Sequence, residues 1–361
     1  MPSLLWQNAY SSCAQGKLMA VRIEDVASLA GVSMKTVSRV LNNEPNVRAQ
    51  TREKVQAAVA ELNYKPHPSA RSLAGHRSYL IALLYDNPSP SYLMEIQSGV
   101  LDACETHHYG MMLRPLNYSP ASDAEFIHTV ESLVVHGRPD GLILTPPITD
   151  HPTLGKRLAE LNVPYACISP RDWSGCIGAN LDEVHAASEM TAHLIALGHR
   201  RIAHITGHPD HGASGWRLQG YRDALQRAGL RFDPNLVVAG EFSFDSGISA
   251  ARRLLDLKQP PTAIFSANDD MAAGVINAAC ERGMVVPRDL SVCGFDDTPM
   301  SHQIFPALTT VRQPAREMGC IAATQLLRAL RNPESCEMVH VPYTLQLRKS
   351  TGPVPNHQKT P

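Results

Sequence analysis

The stretch VASLAGVSMKTVSRVLN, Val26 to Asn42, reads as two short helices with a sharp bend between them. Ile23, Val26, Ala27 and Ala30 recur at helical spacing, and Gly31 can take the left-handed conformation that ends a helix cheaply. Ser33 is placed to cap a second helix whose Val37, Val40 and Leu41 face inward. Helix, tight turn and helix, with the small Ala27 where the two would cross, predict a helix-turn-helix. A third helix near Gln50 to Leu62, with Val55, Val59 and Leu62 inward, would close the core.

The outward face of the second helix carries Met34, Lys35, Ser38 and Arg39. In a major groove, Arg or Lys bonds guanine edges and an apolar side chain meets a thymine methyl. Charge agrees with that reading. Arg22 to Arg77 holds nine Lys/Arg against five Asp/Glu, while the remainder holds 24 against 29, so a net charge of -1 hides a basic head on an acidic body. Beyond the third helix, YKPHPSARSLAG (Tyr64 to Gly75) has room for little more than one helical turn between prolines and glycine. Such a turn is unstable alone, so it is either a flexible linker or a segment ordered by binding.

From Tyr79 the rhythm changes. YLIALLY, YGMMLRPL, GLILTP, PYACIS, RIAHITG, TAIFSA and LSVCGFD read as buried strands. LMEIQSGVLDACETH, AASEMTAHLIALG, RLQGYRDALQRAG, DSGISAARRLLDL and DDMAAGVINAACERG read as helices between them. The alternation predicts parallel sheets covered on both faces, in two lobes with a cleft beyond the strand carboxyl ends.

These segments identify the chain as similar to the LacI/GalR family of bacterial transcription regulators from Val21 to about Thr351. The resemblance is carried by Asp25-Val26-Ala27, Ala30 to Ser33, Thr36 to Asn42, TREKV (Thr51 to Val55) and ELNYKP (Glu61 to Pro66). It continues in LGHRRIAHITG, RLQGYRDAL, SANDDMAAG, GFDD and LTTVRQP, in that order. It implies a multidomain fold: an all-α helix-turn-helix head and an α/β, two-lobed, periplasmic-binding-protein-like effector domain that dimerises. The chain would cross between lobes near residues 178, 311 and 338. The expected divisions are a disordered leader at 1–19, a head at 20–65, a hinge at 66–77, an effector domain at 78–351 and a flexible tail at 352–361. Met19 is an alternative start.

The same resemblance implies the contacts. Arg39 is expected on guanine, and Met34 with Lys35 on sequence choice. Ser33, Thr36, Ser38, Asn42 and Tyr64 are expected to position the head on phosphates, which fixes register without reading bases. Leu73 is expected as an apolar wedge in the minor groove of a pseudo-palindromic double-stranded DNA operator, with Arg71 steering toward the backbone or groove. The effector site is expected to hold Asp86, Pro90, Tyr92, Arg217, Phe242, Asn268 and Asp296, whose carboxylates, amide and rings suit a sugar. Pro314-Ala315 stands where some sugar-binding relatives place an aromatic, and Trp173 or Trp216 is a substitute ring.

The resulting expectation is a cytoplasmic, nucleoid-associated homodimer that represses carbohydrate-use genes under a sugar-like effector. The alternatives are a sugar-binding protein without DNA binding and a regulator with a purine corepressor. No cofactor, metal or catalytic residue is expected. His199, His204, His208 and His211 are close in sequence, but spacings of five, four and three match no ligand motif. Phosphate-loop, dinucleotide and nucleophile-elbow motifs are missing from the contexts they require. The eight cysteines show no CxxC and read as reduced thiols. A run of 18 apolar residues is also missing. The tail has no apolar heptads to build a helical tetramer.

Overall fold

The computed structural model describes residues 21–41, 46–64, 77–118, 123–172, 175–332 and 336–354. Its contacts divide into a unit ending at Ser78 and a unit from Tyr79 onward.

In the first unit, α1 (Ile23–Ala30), α2 (Met34–Leu41) and α3 (Ala49–Glu61) enclose a core of Val26, Ala27, Val37, Val40, Val55, Ala58 and Tyr64. Gly31 ends α1 at φ 64°, and Val32 N–H bonds back to Ala27 O at 3.0 Å. This left-handed closure turns the chain within three residues. Ser33 Oγ then accepts the Thr36 N–H at 3.2 Å, satisfying one open amide at the start of α2.

The second unit contains two parallel sheets. The first is built from β1 (Leu80–Tyr85), β2 (Gly110–Pro115), β3 (Gly141–Leu144), β4 (Tyr165–Ile168), β5 (Gly178–Asn180) and β11 (Met338–His340). Its order is β11-β5-β4-β3-β1-β2. The second sheet runs β7-β6-β8-β9, from β6 (Ile202–Thr206), β7 (Val237–Ala239), β8 (Ala263–Ser266) and β9 (Ser291–Cys293). Strands β1, β3 and β8 are buried end to end or nearly so, which is why they read as apolar runs rather than alternations.

On the first lobe, α4 (Pro90–Thr106) lies against α12 (Ala315–Ala329). Gly99 and Gly319 make this approach possible: a Cβ on Gly99 would fall 1.8 Å from Arg316 O, and one on Gly319 2.4 Å from Ile96 O. On the second lobe, α7 (Glu183–Ala196) packs on α8 (Gly212–Arg227), and α9 (Phe244–Leu255) packs on α10 (Asp269–Glu281). The chain leaves the first sheet after β5, returns through β10 (Thr310–Arg312) to α12, and leaves again after β11. β12 (Thr344–Gln346) then pairs antiparallel with β10.

Both sheets reverse their strand order internally, between β1 and β3 in one lobe and between β6 and β8 in the other. At such a point successive connections depart to opposite faces and leave a crevice at the strand carboxyl ends. The two crevices face each other. Two polar contacts cross between them: Ser89 Oγ–H donates to Asp270 at 2.9 Å, and Gly212 N–H donates to Asp150 at 3.0 Å. Among the described residues no helix is long and apolar enough to cross a membrane.

The sequence-adjacent histidines separate in space. His199 meets Thr262, Ser291 and the Gly352 carbonyl, tying the second sheet to the chain's last described segment. His204 is buried beneath Tyr221, and its Nδ1 is 2.9 Å from Phe265 O. Burial pushes its pKa down to about 3, against the opposing effect of that carbonyl. The unfolded chain therefore takes up a proton that the folded chain refuses. Stability from His204 is present above about pH 6.5 and is lost as pH falls toward 3. Asp269, raised by burial to about 7, works in the opposite sense. The difference between two proteins therefore isolates the histidine. His204→Gln is expected to lower the urea midpoint at pH 7.5, with a shallower loss than wild type between pH 6.5 and 4. Parallel acid limbs would show that His204 does not carry this sensitivity.

Candidate functional site

On the head, Ser33, Met34, Lys35 and Arg39 are exposed, and Thr36 and Ser38 are half-buried. Met34 stands at the first turn of α2 with half its surface open, an unusual position for an apolar side chain that contributes nothing to the core. The inward Val37 and Val40 fix the rotation of the helix, so the alternate face is the one presented. Tyr64 is 8 % exposed, with its ring packed in the head's core. Asn42, Arg71, Leu73 and Trp173 lie outside the described residues.

In the second unit the facing crevices form a cleft. Its first-lobe wall comes from the turns after β1, β3 and β4, which supply Asn87, Ser89, Pro146 and Ser169, and from Tyr92 on α4. Its second-lobe wall comes from the turns after β6, β7, β8 and β9, which supply His211, Phe242, Asn268 and Asp296. Ala213, Arg217, Glu183 and Gln313 complete the lining.

Of the seven effector residues expected from sequence, the cleft gathers Tyr92, Arg217, Phe242, Asn268 and Asp296. Asp86 and Pro90 are outside its lining. Asp86 accepts the Tyr118 N–H at 2.7 Å and pins the segment that follows β2, while Pro90 opens α4, where a missing N–H costs nothing. Both sit within a few residues of true lining positions, so the turn was located but the side chains facing the cleft were not. Trp216 borders a neighbouring hollow rather than this one.

Arg217 is 4 % exposed and already bound. Its Nε–H donates to Glu183 at 2.6 Å, its Nη1 donates to the Ala267 carbonyl, and its Cζ lies 3.6 Å from the centre of the Phe295 ring. Asp296 Oδ1 is 3.7 Å from Nη1. Burial works against the guanidinium charge, but Glu183 and Asp296 outweigh it and hold the pKa above its ordinary value. Asp296 is raised as well, which for a carboxyl favours the neutral form. Burial lifts its carboxyl well above the usual range despite the pull of Arg217.

The remaining side chains are positioned by local geometry. Asn268 caps α10 by accepting the Met271 N–H at 3.0 Å, and its Nδ2 donates to Phe242 O at 2.9 Å. Its amide is thus spent on holding Phe242, whose φ of 57° lays the ring over Gly207. A Cβ on Gly207 would fall 1.9 Å from that ring. Asp296 (φ 117°) and Ser169 (φ 46°) are also in the left-handed region, and strain of this kind persists only where surroundings over-determine it. His211, 5.1 Å from the Phe242 ring, is pushed by burial to a pKa of about 4 and is neutral at pH 7. Ser169 Oγ and Gln313 Oε1 are buried without a hydrogen-bond partner. Neither is singled out by sequence pattern; the available signal for Ser169 is a polar residue directly after a buried strand.

Among the described residues no cluster of His, Cys, Asp or Glu has metal-binding geometry. The cleft offers carboxyls, amides, hydroxyls and an aromatic face.

The comparisons with known proteins fit this geometry. Residues 22–67 match the profile of bacterial regulatory proteins of the lacI family, and residues 191–351 match that of a periplasmic binding protein-like domain. The transcriptional regulator DegA of Bacillus subtilis is 34% identical over 345 residues, covering 93% of this chain and 99% of DegA. The lac repressor dimer bound to operator and an anti-inducer superposes with a TM-score of 0.75 at 31% identity, over 92% of this chain and 99% of the repressor. The regulator CelR in complex with cellobiose gives a TM-score of 0.68 at 31% identity, over 91% and 99%.

The ion pair yields a direct expectation. Removing one member of a buried pair strands the other, at about 3–5 kcal/mol. Arg217→Met should lower the body's unfolding free energy by roughly that amount, and adding Glu183→Gln should recover part of it. Equilibrium denaturation followed by tryptophan fluorescence checks both, and equal stabilities for the single and double variants would refute the coupling.

Proposed function

This chain belongs to the lacI family of bacterial regulatory proteins, and from that premise we propose that it represses carbohydrate-use genes under the control of a sugar-like effector. The observation that carries the DNA half is the face of α2: Met34 and Lys35 at its start and Arg39 in its last turn are exposed, while the opposite side is locked into a core. Arg39 takes a guanine, Met34 and Lys35 select neighbouring bases, and Ser33, Thr36 and Ser38 bear on phosphates. Two chains bind together on a pseudo-palindromic operator, with Leu73 of each in the minor groove and Arg71 steering toward the backbone or groove. Working on DNA in a bacterium, the protein is placed in the cytoplasm with the nucleoid. Its business is binding, with no enzymatic step.

The effector half is supported by the cleft's chemistry and by the relatives. CelR is described with cellobiose, and the lac repressor with operator and an anti-inducer. Hydroxyls would meet Asp296 and Gln313, and the C–H face of a ring would meet Phe242. The hinge at 66–77 transmits the change in lobe spacing by ordering or melting on the operator, a coupling between two sites through a two-state segment.

Arg39→Ala is expected to reduce discrimination between operator and scrambled duplex by about 1–3 kcal/mol while leaving folding intact. Fluorescence anisotropy at fixed salt measures it. An equal loss on both duplexes would move Arg39 to a phosphate contact, and no loss on either would remove it from the interface. A second titration tests the switch: operator affinity with and without effector, for wild type and Leu73→Ala. An inducing sugar should weaken wild-type operator binding, and Leu73→Ala should bind weakly whether effector is present or not. A variant that responds as wild type does would eliminate the wedge mechanism.

A further inference from the structure

Two cysteines without a part in ligand or DNA binding meet beside the cleft. Cys167 is in β4 and 2 % exposed, and Cys176 stands two positions before β5 and is half-buried. The described cysteines are all thiols, and these two are hydrogen-bonded to each other. Strand pairing brings them together. Cys167 lies opposite Gly178 in the parallel β4–β5 ladder, and its N–H donates to Ile177 O at 2.8 Å. Gly178 has φ 139°, and a Cβ on it would fall 1.9 Å from Cys167 O. The missing side chain lets the backbones close up, so the neighbour of Cys167 on this edge is Cys176.

The two thiols are unequal. The hydrogen bond from Cys167 draws the Cys176 thiol down to about 7, against burial and the Asp172 charge. About half of it is thiolate at neutral pH, the form that attacks a peroxide. The same bond, together with burial and the charges of Cys176 and Asp150, holds the proton on Cys167. Cys104 and Cys293 are kept protonated mainly by burial. Attack of the Cys176 thiolate on one oxygen of hydrogen peroxide breaks the O–O bond, leaving a sulfenic acid and a hydroxide that is protonated to water. Cys167 then attacks the sulfenic sulfur. The S–S bond forms, hydroxide departs, and the Cys167 proton converts it to a second water. Two electrons pass from the two sulfurs to one peroxide.

Closing that bond brings the sulfurs to about 2.05 Å. Cys167 is held in the sheet between β3 and β5, so the approach comes from the connection that carries Cys176. The same connection carries Arg171, whose N–H donates to Asp150 Oδ1 at 2.6 Å. Asp150 Oδ2 in turn accepts the Gly212 N–H, at 3.0 Å, where α8 of the second lobe begins. One carboxylate thus ties the thiol-bearing connection to the other lobe. Oxidation also removes the Sγ–H that Cys176 donates to Asp172 O at 3.8 Å. We propose that Cys167 and Cys176 form a peroxide-sensitive dithiol whose reversible disulfide loosens the Asp150 contact between the lobes.

The test treats the reduced full chain with hydrogen peroxide, blocks the remaining thiols with iodoacetamide and maps the peptides by mass. The expected product is a Cys167–Cys176 disulfide, two hydrogens lighter than the dithiol and reopened by dithiothreitol. Without peroxide, the alkylation rate of Cys176 should rise with a midpoint at about pH 7, and Cys167→Ala should move that midpoint upward. In the oxidised chain the Gly212 amide should exchange hydrogen roughly 5-fold faster than in the reduced one. Peroxide treatment of Cys176→Ser, a small change at a half-buried position, should leave that amide as it was. Disulfides formed only between other cysteines, or sulfur acids at Cys176 without the bond, overturn the dithiol. A Cys167–Cys176 disulfide with unchanged Gly212 exchange overturns the coupling to the lobes and leaves the modification site. Exchange that quickens equally in Cys176→Ser overturns the coupling too, because another oxidation then causes it.

Discussion

The buried pair of Glu183 and Arg217 is the interaction on which the effector unit depends. Glu183 opens α7 immediately after the chain has left the first lobe, and Arg217 projects from the middle of α8. Their 2.6 Å contact therefore fixes the angle at which the chain enters the second lobe. The same guanidinium holds the carbonyl of Ala267 at the end of β8, lies on Phe295 after β9, and draws Asp296 toward the cleft. One side chain thereby sets the positions of three segments that are remote from it in sequence. Desolvating such a charge is costly, and the cost is offset only because carboxylate, carbonyl and ring are all in place. Hydrophobic residues could fill the volume but would not fix the directions of these groups.

That commitment defines what the cleft can be. With its cation used internally, the cavity is left with hydroxyl, amide and carboxyl groups whose free positions call for donors from outside. The strained backbones of Phe242, Asp296 and Ser169 belong to the same design: each aims a side chain inward from a strand's carboxyl end. The two contacts that bridge the lobes, Ser89 with Asp270 and Asp150 with Gly212, are single hydrogen bonds of about 1 kcal/mol each. Contacts of that size are compatible with a spacing that a ligand can change.

The sequence by itself determined the architecture. The period of apolar residues in VASLAGVSMKTVSRVLN, with Gly31 and Ser33 at its bend, leaves one way to bury Val26, Val37 and Val40 together. The apolar runs at Leu80–Tyr85, Gly141–Leu144 and Ala263–Ser266 have no polar face to turn to water, so they had to be interior parallel strands. These are local facts, carried by neighbours in the chain. The short β5, Gly178–Asn180, was not visible as a strand, because three small residues carry no period; it exists through pairing with β4 and β11.

The duties of individual polar residues were decided only by tertiary structure. The motif Asp269-Asp270 holds two identical side chains, yet Asp269 is buried on Thr298 and Thr310 while Asp270 reaches across to Ser89. In GFDD, Asp296 faces the cleft while Asp297 is clamped by Arg312 at 2.7 Å and Arg348 at 2.5 Å. Asp86 and Pro90 were one or two positions from lining residues and turned away from the cleft, and Tyr64 went into the head's core. A step of one residue at the end of a strand or the start of a helix rotates a side chain by roughly 100–180°. Sequence pattern locates such a turn to within a residue or two. Which of its side chains meets the ligand is set by partners such as Arg312 and Arg348, which the chain brings in from elsewhere.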